Sequence, residues 1–143
     1  MIVLDTTILV YATGDDHPVR NHSLRLLDAI ADGRIEGTTT VEVIQEFVHV
    51  RARRQGRADA AKAGRSFADL LEPLLVVPGA SVEPGLRIFE RSKSLGAFDA
   101  FLAATVVASA ADALVSADRA FSSVSRLTHI VPGTAEFDRL LAA

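Results

Sequence analysis

The sequence predicts an α/β domain, a five-stranded parallel sheet flanked by helices on both faces. Three observations carry this. Short apolar runs alternate along the chain with longer segments whose apolar residues recur at helical spacing. Turn pairs such as Asp32-Gly33, Pro78-Gly79 and Pro132-Gly133 punctuate them. The 143 residues contain no internal repeat, low-complexity tract or linker. They fit one domain over 1–143, long enough to bury roughly 68–70% of its unfolded surface.

Each element has a local cause. Ile2 to Asp5 reads as the first strand, with a helical turn from Thr7 to Ala12. After the loop Gly14 to His17, Pro18 suits the first turn of a helix, and Leu24, Leu27, Ile30 and Ala31 continue it. Glu36 to Thr39 is the second strand, and Thr40 caps a helix from Val41 to Gln55 that buries Val43, Ile44, Phe47, Val48 and Ala52. Gly56 ends it, and a further helix runs from Ala58 to Leu71. Leu74 to Val77 reads as the third strand, Ala113 to Ser116 as the fourth and His129 to Val131 as the fifth. Between them lie helices from Pro84 to Ser94 and Phe98 to Ala111, then a turn near Ala120; Thr134 to Leu141 closes the chain.

Composition excludes several chemistries. With no cysteine, disulfides, zinc-thiolate sites and cysteine nucleophiles are ruled out. The N-terminus lacks a basic segment and meets Asp5 at once, and the longest apolar run, Ala100 to Ala111, is far short of a membrane span. A cytoplasmic protein with no membrane contact is expected. The histidines lack paired ligand spacing, and neither a phosphate-binding glycine loop nor a Gly-x-Ser-x-Gly elbow occurs.

The residues that suggest chemistry are four separated acids: Asp5, Glu46, Asp99 and Asp118. Asp5 and Asp118 fall at or just past the carboxyl ends of the first and fourth strands, where open α/β sheets bind ligands. Either could simply cap the turn that follows it. Asp99 opens a helix that is apolar nearly all round, where the helix dipole favours a carboxylate by about 0.3–1 kcal/mol. Glu46 lies between Ile44 and Phe47 on the same helical face as Glu42, which is closer to the helix start and suits a dipole role. Carboxylates among apolar residues are costly to bury unpaired, so a cation is the natural compensation if they converge.

Net charge is −3, yet taking those four from 18 acidic residues leaves 14 against 15 basic ones. An acidic pocket inside a basic rim is compatible with that balance. Arg51, Arg53, Arg54 and Arg57 are more than a helix C-terminus requires and suggest an RNA-backbone surface. With one Tyr and no Trp, base stacking is not strongly signalled.

The run Ile2-Val3-Leu4-Asp5-Thr6-Thr7-Ile8-Leu9-Val10-Tyr11-Ala12 resembles the opening of PIN domains. Val43 to Phe47, Leu95 to Ala104 and Ala113 to Phe121 resemble their later acidic motifs, in the right order. Within PIN domains, the single-domain length resembles VapC-type toxins of toxin–antitoxin modules. The resemblance implies adjacent first and fourth strands in a five-stranded sheet, and a Mg²⁺- or Mn²⁺-dependent endoribonuclease. It also implies a homodimer neutralised by a cognate VapB-type antitoxin. Thr7 departs from the Asn or Ser common there, but keeps a hydroxyl.

Magnesium usually takes one or two protein carboxylates directly and keeps several waters. Asp5 and Asp99 are therefore expected as direct ligands, with Glu46 and Asp118 acting through water or on a second ion. Thr7 and Ser116 would orient the carboxylates. Two alternatives stand beside this reading: a metal-dependent phosphatase, which lacks an Asp-x-Asp nucleophile motif here, and a catalytically silent RNA- or protein-binding module.

Overall fold

The computed structural model describes residues 1–143. Strand β1 (Ile2–Leu4) and strand β3 (Ala113–Val115) are wholly buried and pair in parallel at the centre of the sheet. Such apolar runs, covered on both faces, are the expected signature of parallel strands. Strand β2 (Gly37–Thr38) adds to the free edge of β1, and β4 (His129–Ile130) to that of β3. The order is β2-β1-β3-β4, all parallel, so the first and fourth expected strands are neighbours.

The sheet has four strands where the sequence predicts five. Leu74 to Val77 contributes only a single parallel bridge, Thr40 to Leu75, through Leu75 N–H donating to Thr39 O at 2.9 Å. Pro73 and Pro78 bracket this segment and bring no N–H to a ladder. Val76 is 75% exposed, so core packing along this run stops after Leu75 and no continuous strand face is covered. Leu74 and Leu75 still cover the core.

Seven helices surround the sheet. Helix α1 (Thr6–Thr13) follows β1 directly, and α2 (Pro18–Ala31) begins with Pro18 and His17 as its cap. Thr40 caps α3 (Val41–Gln55) by accepting from Val43 N–H at 3.2 Å, and Gly56, at φ 89°, turns the chain into α4 (Arg57–Leu71). Helices α5 (Val82–Arg91) and α6 (Ala97–Ala108) form a hairpin, and Gly85 lets α5 approach α6. A Cβ there would meet the Phe101 ring at 2.6 Å. Both helices end about three residues earlier than the sequence suggests. Helix α7 (Ala135–Ala142) is capped by Thr134.

The core joins Val3, Leu4, Leu114 and Val115 of the sheet to Ile8, Leu9, Leu26, Phe47, Phe67, Phe121 and Phe137. Its rigidity fixes where the strands end. Beyond the short β2, the buried Thr39 Oγ1 donates to Leu4 O at 2.7 Å, continuing the pairing one residue before Asp5. Thr39→Val keeps the shape but strips Leu4 O of this donor. The expected cost is about 1–3 kcal/mol, read as a lower urea midpoint at unchanged slope.

Candidate metal-dependent active site

Asp5 leaves β1 with its backbone N–H bonded to Val115 O at 3.0 Å, so the sheet itself fixes its position. It then caps α1 and is 3% exposed. Three donors converge on one of its oxygens, Oδ2: Ser116 Oγ at 2.6 Å, Thr7 Oγ1 at 2.9 Å and Thr7 N–H at 3.4 Å. The other oxygen, Oδ1, receives no protein donor.

The two hydroxyls are held in turn. Having donated to Asp5, Thr7 Oγ1 accepts from Ala117 N–H and Ser116 Oγ from Asp118 N–H, each at 3.0 Å. His129 Nε2 lies 3.0 Å from Ser116 O and ties β4 to the same strand end. Asp118 then caps a 3-10 turn (Arg119–Ser123) through Oδ1 accepting from Ala120 N–H at 2.9 Å. Capping and site-building are thus two duties of the same carboxylates at Asp5 and Asp118.

Helices bring the other two acids. Asp99 sits half-buried in the first turn of α6, whose Ala100 and Leu102 to Val106 are buried. Glu46 lies on the exposed lip of α3, with Thr6 Oγ1 donating to its Oε2 at 3.2 Å. All four acids line one cleft of about 460 Å³. Glu42 does not. It faces a neighbouring apolar hollow of about 290 Å³ with Val43, Phe98, Phe101 and Leu102; Glu46 and Asp99 border both spaces, whereas Glu42 borders only the hollow.

Electrostatics register the convergence. Burial, followed by the charges of Asp5, Glu46 and Asp118, pushes the Asp99 carboxyl up to about 7. Glu46 is raised as well, chiefly by burial and further by Asp5, against the Thr6 hydrogen bond that lowers it. The ion pairs of the chain all lie elsewhere, so none of the four carboxylates is paired with a cation of the protein, although Arg54 stands in the same cleft.

The donor set is all oxygen, which suits a hard divalent ion such as Mg²⁺ or Mn²⁺. Asp5 Oδ1 is open to a ligand while Oδ2 is anchored. No three acidic or histidine side chains close into a ready-made cage. Magnesium takes one or two protein carboxylates directly and keeps several waters, so its binding does not require such a cage.

The arginines divide. Arg51 donates through Nε to Asp59 at 2.6 Å and through Nη1 to Thr13 O at 2.8 Å, joining α3 to α4 and to the end of α1. Its guanidinium is committed to the fold. Arg53 and Arg57 are exposed, and Arg54 lines the acidic cleft. Sequence reasoning passed over Thr6, Tyr11, Asp15, Asp16 and His17, which also line it. Tyr11 could have been found by period, since it lies one turn beyond Thr7 on α1.

The sequence profile of the PIN domain matches residues 2–127. The chain is 50% identical to Ribonuclease VapC7 of Mycobacterium tuberculosis over 142 residues, covering 99% of this chain and 98% of that one. It is 28% identical over 123 residues to VapC ribonuclease Mb1869c of Mycobacterium bovis, covering 86% and 94%. Among solved structures it is similar to VapBC2 from Rickettsia felis, described as bound to a DNA fragment from their promoter. That likeness has a TM-score of 0.70 at 18% identity, covers 92% of this chain and 98% of that one, and speaks to the fold.

The raised Asp99 has a consequence for stability without metal. Its carboxyl ionises near 3.8 in the unfolded chain and near 7 in the fold. Between those values the folded state holds the extra proton, so this contribution is full below about 4 and is lost as pH rises through 7. Asp99→Asn removes the penalty. In chelator, the variant should gain melting temperature over the parent at pH 8 and show little or no gain at pH 4. An equal difference at both pH values contradicts the assignment.

Proposed function

Because the chain belongs to the PIN domain family, we propose that it is a Mg²⁺- or Mn²⁺-dependent endoribonuclease, the toxin of a toxin–antitoxin pair. The observation that carries this is the cleft where Asp5, Glu46, Asp99 and Asp118 meet with no ion pair to any of them, and where burial and then the other three charges push the Asp99 carboxyl up to about 7. Near-complete alignment with a relative named Ribonuclease VapC7 supports the substrate class. Similarity to the VapBC2 structure favours a VapB-type antitoxin as partner. Exposed Val82, Leu86 and Phe89 on α5 and Phe98 on α6 offer an apolar face that suits a homodimer. Its RNA substrate places the action in the cytoplasm, and no helix is long and apolar enough to cross a membrane.

Asp5 and Asp99 would hold the ion, while Glu46 and Asp118 would act through water or on a second ion. Thr7 and Ser116 keep Asp5 in one orientation, so its free oxygen need not be ordered when the ion arrives. The bound ion supplies polarisation of the scissile phosphate and a more acidic water for in-line attack. Arg53, Arg54 and Arg57 offer charge to the RNA backbone, with Arg51 reserved for holding the helices together.

The test is cleavage of RNA with Mg²⁺ or Mn²⁺. Asp5→Asn and Asp99→Asn should each lower the rate by about 100-fold or more, and Ser116→Ala by about 10–100-fold. Equal cleavage by parent and variants overturns the reading. Turnover of phosphomonoesters with intact RNA would favour a phosphatase instead.

A further inference from the structure

The cleft extends well beyond the acids, and two helical stripes form its walls. On α1 the stripe is Thr7, Val10 and Tyr11, continued by Gly14 just past the helix end, and on α3 it is Glu46, Val50 and Arg54. Both follow the spacing that keeps residues on one helix face, and α1 packs directly on α3. At 1.5 Å rise per residue, Tyr11 lies about 6 Å along α1 from Thr7, the residue that orients Asp5. Arg54 lies about 12 Å along α3 from Glu46.

At this far end Tyr11 and His17 stack, with ring centroids 4.6 Å apart and planes 29° from parallel. Tyr11 is half-buried and backs the pair, while His17 is exposed to the cleft. The imidazole is held, because its Nδ1 accepts from Val19 N–H at 3.1 Å as the cap of α2. A pre-positioned flat ring in the wall of a channel offers a π-face to a nucleobase at little ordering cost. Arg54 makes no ion pair and is free for a phosphate. Asp15 and Asp16, beside His17, repel phosphate and leave that wall to the base.

We infer that the Tyr11–His17 stack and Arg54 form a nucleotide subsite, which holds the base adjoining the scissile phosphate of a single-stranded RNA. This rests on the ribonuclease reading of the same cleft. The stack grips the base and Arg54 the phosphate. The acids, one helical turn from Tyr11 and about two from Arg54, act on the neighbouring linkage. Base stacking of this kind tolerates sequence, so the subsite sets strandedness and register more than base identity.

His17→Asn tests it cleanly. Asn is a strong helix cap, so α2 keeps its acceptor while the ring is lost. Tyr11→Leu fills similar space without a π-face. With single-stranded RNA and Mg²⁺, each variant should raise KM about fivefold or more with little change in kcat. A 2-aminopurine placed next to the cleaved linkage should be quenched by the parent on rapid mixing before turnover, and not by His17→Asn.

Unchanged KM and unchanged quenching in both variants, with a parent that cleaves RNA, overturn the subsite and leave the ribonuclease reading standing. A fall in kcat at constant KM makes the pair a support for the acids, and also overturns it. A parent that cleaves no RNA overturns both.

Discussion

Asp5 is buried at the point where β1 leaves the sheet, and it meets hydroxyls and a backbone N–H but no positive charge. Around it the fold brings three more carboxylates. The arrangement costs stability, since one of the four is pushed up to about 7 by burial and its neighbours. A chain selected for stability alone would place an arginine or an apolar residue here. The parallel sheet, the caps and the close approach of α6 all serve to hold this unfavourable cluster in place. The proposed function has a divalent cation offset it.

The hydrogen-bond network shows how rigidity reaches the carboxylates. Asp5 and Asp118 are positioned by adjacent strands, and the Thr7 and Ser116 hydroxyls stitch those strand ends together. Glu46 is held only by Thr6 and stands at the lip. An anchored centre with a more exposed rim suits an ion that keeps water and a substrate that must enter and leave.

Most of this arrangement is legible in the residues. Asp5 and Asp118 follow apolar runs that could only be buried strands, and Asp99 is the lone carboxylate on a helix with few polar faces. Their meeting place then follows from strand order. Leu74 to Val77 reads as a strand because its residues are apolar, yet the flanking prolines and the solvent at Val76 leave one bridge. Arg51 looks the same in sequence as Arg53 and Arg54. Only the fold shows it spent on Asp59 and Thr13. The Tyr11–His17 stack was illegible because it depends on how the loop from Gly14 to Asp16 folds back, and no periodicity governs that.

The proposed function requires the acidic cleft to hold a divalent cation. Diffraction near the manganese absorption edge, from crystals grown with Mn²⁺, tests it most directly. An anomalous peak within ligand distance of Asp5 and Asp99 is the expected result. A cleft without a peak, or manganese bound only at exposed acids such as Asp15 and Asp16, would contradict it.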